Sequence, residues 1–223
     1  MKRLFLLYYL GLITFFASLC AAHAEEFILS IDSEDDSYFA TLLEAALEAA
    51  DGEHTFRTYG YQRTIPQSRI LRLLLTGDSP INVVFTGHSV QRENLLRQID
   101  IPLLRGLLGY RLFAIHKQDE ALFASMGSLE DLTNKIHVGS GTSWPDTFIL
   151  KAAGFQIEMG TVDNLWRMLE RNRFKALPMG MSEIYDELAS FKQSTPASTL
   201  MVEKSIMLQY HFDHFFYVAP SDS

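Results

Sequence analysis

Two successive alternations of strand-like and helix-like segments constrain this chain more than any single motif in it. Residues 26–31 (Glu-Phe-Ile-Leu-Ser-Ile) form a short apolar strand pattern, left through the acidic stretch Asp32-Ser33-Glu34-Asp35-Asp36. Apolar residues then recur at helical spacing over 38–50, at Phe39, Leu42, Leu43, Ala46 and Leu47, until Asp51-Gly52 ends the pattern. A strand over 55–61, a helix over 66–75 and a strand over 81–85 complete a β-α-β-α-β unit. Parallel strands need long crossovers, and helices of this length supply them, so the order predicts a parallel sheet. A strand over 112–115 opens the second alternation, with helices at 128–132, 144–153, 162–170 and 182–190. Strands at 136–138, 155–158 and 174–177 lie between them, and 207–218 is again extended and aromatic-rich. The pattern predicts two α/β lobes with a cleft between them. Lobe 1 spans 25–111, with 207–223 returning to it, and lobe 2 spans 112–206. Open α/β sheets bind ligands beyond the carboxyl ends of their strands, so the loops there are where chemistry is expected.

The lobes begin only after residue 24. Met1-Lys2-Arg3 is a short basic start, residues 4–19 are almost entirely apolar, and Ala22-His23-Ala24 has the small-x-small pattern of a signal-peptidase site. The run is nearly long enough for an uncleaved membrane anchor. The well-formed cut site and the acidic start at Glu25 favour cleavage and export to the periplasm. Cys20, the only cysteine, falls within this segment, so the mature chain has no disulfide, thiolate metal site or cysteine nucleophile. Removing Lys2 and Arg3 leaves 17 basic residues against 27 acidic ones, a net charge of −10. With no basic cluster to offset that balance, nucleic acid is set aside as a partner.

The loop after the 136–138 strand, Gly139-Ser140-Gly141-Thr142-Ser143, precedes a helix pattern. Ser143-x-x-Asp146 fits a capping box, with Pro145 in the first turn. Capping leaves the glycines and hydroxyls of 139–142 unexplained, and an anion pocket of free N–H groups and hydroxyls fits them too. Thr86-Gly87-His88 holds the equivalent place after the third strand, with Arg92 soon after. Arg92 fits either a surface arginine beside Glu93 or a bidentate carboxylate partner. Tyr38 fits a helix-start aromatic or a ring covering a ligand. His211 and His214 would face opposite sides of an extended segment, which argues against a metal site. No cofactor motif and no nucleophile–base motif is present, so no enzyme is expected.

Four stretches, taken in order, carry a resemblance. They are Ile-Pro-Leu-Leu-Arg-Gly-Leu-Leu-Gly-Tyr-Arg at 101–111 and Gly-Ser-Gly-Thr-Ser-Trp-Pro-Asp at 139–146. Leu-Trp-Arg-Met-Leu at 165–169 with Arg173-Phe174 follows, and then Leu177-Pro178 with Glu183-Ile184. Together they resemble the type 2 periplasmic binding protein superfamily, near the amino-acid-binding solute-binding proteins of family 3. The resemblance implies a two-lobed α/β fold closing on a small carboxylate-bearing solute, without catalysis or metal. It implies Thr86, Arg92, Ser140, Gly141, Thr142, Ser143 and Glu183 as ligand-binding residues, with Glu183 near a ligand amine; Tyr38 joins the candidates on its own position after the first strand's acidic loop. It also implies an ABC permease or a sensor protein as partner. An exported enzyme on the same scaffold would use Glu183 or His88. Two departures stand out: Lys175 replaces a common acid, and the chain stops at Ser223 where relatives continue with helices on lobe 1.

Overall fold

The structure, a computed structural model, describes residues 25–31, 37–60 and 65–220. The expected signal at 1–24 and the acidic stretch 32–36 lie outside the described residues. In the first sheet, β1 (Glu25–Ile31) runs parallel to both β2 (His54–Gly60) and β3 (Val83–Gly87), with Leu29 opposite Thr58 and Val83. Helices α1 (Ser37–Glu48) and α2 (Gln67–Thr76) lie between these strands in the chain. β11 (His214–Val218) pairs antiparallel with β3 and with the short β4 (Arg97–Gln98), giving the order β2-β1-β3-β11-β4. α3 (Val90–Leu95) leads from β3 towards β4, and Ser89 caps it by accepting from the Arg92 N–H at 3.2 Å.

The second sheet has the order β10-β5-β8-β6-β7, with β9 also on β5. β6 (His137–Gly141) is parallel to β7 (Gln156–Gly160) and β8 (Ala176–Gly180), whereas β5 (Tyr110–His116) is antiparallel to β8. β9 (Leu200–Val202) and β10 (Leu208–Gln209) are antiparallel to β5. Five helices flank or connect these strands: α4 (Glu120–Ala124), α5 (Leu129–Lys135), α6 (Asp146–Ala152), α7 (Val162–Glu170) and α8 (Ile184–Ser194).

Neighbouring residues along a strand point to opposite faces, and both faces of each sheet are covered. Ile28, Val84 and Tyr217 pack with Ile70 and Leu74 of α2, while Leu29, Val83 and Phe216 pack with Phe39 and Leu43 of α1. The second sheet repeats the arrangement. Ala114 and Leu177 join Leu165, Trp166 and Leu169 of α7, and Phe113, Ile115 and Ala176 join Phe123, Leu132 and Leu150. Each fully buried side chain of this kind contributes about 1.5–3 kcal/mol. This two-face burial explains why the strand segments read as nearly continuous apolar runs.

The expected parallel order holds within β1–β3 and β6–β8. The strands that cross between lobes run the other way, for a geometric reason. His214 opens β11 opposite Gly87, the last residue of β3, and Arg111 near the start of β5 faces Gly180, the last of β8. A strand arriving from the other lobe therefore starts where the parallel strands finish. The two crossings touch: a Cβ on Gly109 would lie 2.0 Å from the Tyr210 carbonyl oxygen, and Tyr210 N–H donates to Gly109 O at 3.1 Å. Asp213 adds a second tie, accepting from Leu104 N–H at 2.9 Å and from the Gly106 N–H.

One local expectation is corrected. α6 starts at Asp146 and has no side-chain cap, so Ser143 and Asp146 form no capping box. The Asp146 carboxylate is instead drawn to a buried cation from the neighbouring crossing strand.

Candidate functional site between the lobes

The ends of β3 and β8 and the starts of β5 and β11 face one another, and between them lies a cavity of about 290 Å³. Its apolar lining includes Phe85, Leu108, Trp144 and Met179; its polar groups are Ser30, Gln67, Arg111, Asp146, Glu183, Glu187 and His214. Both lobes and both crossings contribute, which is the arrangement a hinge-closing binding site requires.

Arg111 organises the floor. It sits near the start of a mainly apolar strand and is 3% exposed. Its Nη2 pairs with Asp146 Oδ2 at 2.9 Å and its Nη1 with Glu183 Oε1 at 3.3 Å. The guanidinium carbon lies 5.2 Å from the Phe212 ring centroid and 5.8 Å from that of Tyr210, both on the returning crossing. Burial opposes its charge, but Asp146, Tyr210 and Glu183 outweigh that and hold its pKa above the ordinary value. Asp146 also accepts from the Tyr210 hydroxyl at 3.2 Å. One cation thus connects the outgoing crossing, the returning crossing and two positions of lobe 2.

Glu183 accepts from Gly180 N–H at 2.9 Å as well as from Arg111. Burial raises its pKa, with Arg111 and the Gly180 N–H opposing. Its side chain keeps 38% of its surface accessible, so the burial is depth in the cleft rather than enclosure. His214 is held neutral: burial first, then Arg111 and Arg92, lower its pKa to about 3.

Arg92 stands behind Gln67 and Gly87, 7% exposed. Its Nη1 donates to the Thr86 hydroxyl and to Gly87 O at 2.7 Å; its Nη2 donates to Gln67 Oε1 and, across the cleft, to Ser143 O at 3.0 Å. All four acceptors are uncharged, and among the described residues no carboxylate lies within ion-pair distance. Burial accordingly lowers the Arg92 pKa to about 10, with Tyr217 and Asp146 opposing.

The sequence candidates separate into groups. Thr86, Arg92 and Ser143 meet in the cross-cleft contact, and Glu183 lines the cavity. Ser140 is buried in lobe 2, sharing a 2.7 Å hydrogen bond with Thr147, whose hydroxyl also donates to Gly141 O at 2.9 Å. Gly141 accommodates Trp144, since a Cβ there would lie 2.3 Å from the indole. Thr142 is exposed and its N–H donates to Gly160 O at 3.1 Å. Tyr38 is 50% exposed, with its hydroxyl donating to Leu103 O at 2.9 Å. His88, the other candidate catalytic group, bonds Gln98 at 2.9 Å outside this cavity. Sequence reasoning missed Arg111, Ser30 and the true role of Asp146. A lone arginine near the start of a mainly apolar strand was the available signal, because a buried charge demands a buried partner.

No family model and no curated protein matches this chain. Solved structures do match, at low identity. An arginine 3rd transport system periplasmic binding protein from Legionella pneumophila has 10% identity and a TM-score of 0.58, covering 88% of this chain and 87% of that one. The GluR0 ligand-binding core in complex with L-glutamate has 12% identity and a TM-score of 0.57, covering 91% and 87%. An ancestral amino-acid-binding protein, AncCDT-1, a precursor of cyclohexadienyl dehydratase, has 12% identity and a TM-score of 0.55, covering 88% and 82%. This chain has the two-lobed α/β fold of the periplasmic binding proteins. Within that class, its fold neighbours are amino-acid-binding members. No helix among the described residues is long and apolar enough to cross a membrane.

Proposed function

We propose that this chain is an exported solute-binding protein that captures a small amino-acid-like solute between its lobes. The carrying observation is the cavity of about 290 Å³, walled by both lobes, with Arg92 behind it on the lining residues Gln67 and Gly87, whose oxygens accept from its guanidinium. Arg92 offers a carboxylate a buried cation whose Nη–H groups are held by neutral acceptors, one of which, the Gln67 side chain, lines the cavity and is exchanged for the ligand, and Glu183 offers an ammonium group an accessible carboxylate. Thr86 and Ser143 hold the Arg92 guanidinium in place from the two sides of the cleft. Closure delivers the loaded protein to an ABC permease in the inner membrane; a sensor protein would read the same closed state.

Titration calorimetry and thermal shift with the common L-amino acids test this. A solute at 100 times its Kd stabilises the folded state by about 2.7 kcal/mol, which for a chain of this size raises Tm by roughly 5–11 °C. Folded protein with no response to any of them overturns the proposal. The solute should be recovered unchanged; turnover would instead place the chain on the enzymatic branch that this scaffold also supports.

A further inference from the structure

Arg92 is not among the residues that line the inter-lobe cavity, whereas Gln67 and Gly87, which accept from its guanidinium, are. Its Nη1 donates to the Thr86 hydroxyl and to Gly87 O at 2.7 Å. Its Nη2 donates to Gln67 Oε1 and to Ser143 O at 3.0 Å. Each Nη carries two N–H groups, so these bonds use both nitrogens fully. A solute carboxylate can therefore bond an Nη–H only where one of these acceptors gives way.

The acceptors differ in how easily they can leave. Gly87 O and Ser143 O are backbone carbonyls, and Gly87 is fixed in β3 by its pairing with His214. Thr86 is 1% exposed and lies in the same strand. Gln67 is half-buried at the first position of α2, after Pro66, and its long side chain can change rotamer without moving the backbone. It is also the one side chain of the set that lines the cavity. The amide oxygen brings a dipole to a full charge. A carboxylate makes hydrogen bonds about twice as strong to a guanidinium, so it displaces the amide but must first break that contact.

We infer that Gln67 is an internal competitor for Arg92: its carboxamide oxygen holds the place a solute carboxylate takes, and displacing it sets the affinity of the site. The competitor rests on the solute-binding proposal above. Its effect has the opposite sign to that of a residue contacting the solute. Losing a contact weakens binding, whereas losing a competitor strengthens it.

Calorimetry with the common L-amino acids on wild type, Gln67→Ala and Gln67→Glu tests this. The amino acid that binds wild type most tightly should bind Gln67→Ala about three- to thirtyfold more tightly, the net worth of a hydrogen bond to a charged group. Gln67→Glu puts a carboxylate on the same side chain, so that amino acid should bind at least tenfold more weakly. The solute-free Gln67→Glu protein should also melt above wild type, and adding Arg92→Met should abolish the gain. A gain that persists belongs to an acid at a helix start, and it overturns the competitor. Equal or weaker binding by Gln67→Ala, or wild-type affinity in Gln67→Glu, overturns it too while leaving the solute site standing. No binding to either wild type or Gln67→Ala overturns both.

Discussion

Replacing Arg111 by methionine removes a cation while keeping a long apolar stem, and the consequence follows from the burial of what remains. Asp146 is 2% exposed, so without Arg111 its carboxylate faces the interior with the Tyr210 hydroxyl at 3.2 Å as its remaining side-chain hydrogen bond among the described residues. Breaking a buried pair by removing one partner costs about 3–5 kcal/mol. The Tyr210 contact places the expected value near the lower end. Glu183 adds little, because its side chain is 38% accessible and water can solvate it; exposed pairs are worth about 0–1 kcal/mol. A loss of about 3 kcal/mol lowers Tm by roughly 6–12 °C in a chain of this length. Urea denaturation should show a lower midpoint with an unchanged slope, since the exposed surface on unfolding stays the same. The decisive step is the double variant Arg111→Met with Asp146→Asn. If the penalty is a stranded charge, neutralising Asp146 recovers about 1–3 kcal/mol of it. A single-variant loss under about 1 kcal/mol, or no recovery in the double variant, would refute the account of Arg111 as the buried anchor of the hinge.

Other expectations are as direct. Arg92→Ala should weaken binding of an amino-acid ligand by about 2–5 kcal/mol, a rise in Kd of roughly 30-fold to several thousand-fold; calorimetry showing equal affinity removes Arg92 from the site. His214 has a folded pKa of about 3, below its ordinary 6.5, so the unfolded chain binds the extra proton between those values. Its contribution to stability is complete above about pH 6.5 and is lost as pH falls towards 3, at up to about 1.4 kcal/mol per pH unit. His214→Gln should flatten the wild-type stability profile between pH 6.5 and 4.5, and parallel profiles would contradict this. Gly109→Ala drives a Cβ to 2.0 Å from the Tyr210 carbonyl oxygen, a backbone atom that cannot swing aside. It should cost about 1–3 kcal/mol or more, read as a lower Tm.

The alternation of strand and helix was legible in the sequence because both faces of each sheet are covered. Leu29, Val83 and Phe216 pack on one side and Ile28, Val84 and Tyr217 on the other, so the strand segments carry paired apolar residues, and the helices show their own period between them. The helix over 162–170 matched α7 to the residue, since its apolar face is sharply separated from its polar one. Expected helix starts were weaker where a polar residue had a distant partner. Ser143 and Asp146 satisfy a local capping pattern, yet Asp146 pairs with Arg111, a residue 35 positions earlier in the chain.

Sequence by itself determined the local periods, the two-part organisation and the residue types available near strand ends, because those depend on contacts within a few positions. Tertiary structure alone decided which charges meet. The Arg111–Asp146–Glu183 cluster and the Arg92–Ser143 contact join residues far apart in the chain. Their partners are chosen by the antiparallel entry of β5 and β11 at the cleft, where four strand ends converge. Nothing in the spacing of these residues encodes that convergence; the packing of the two sheets does.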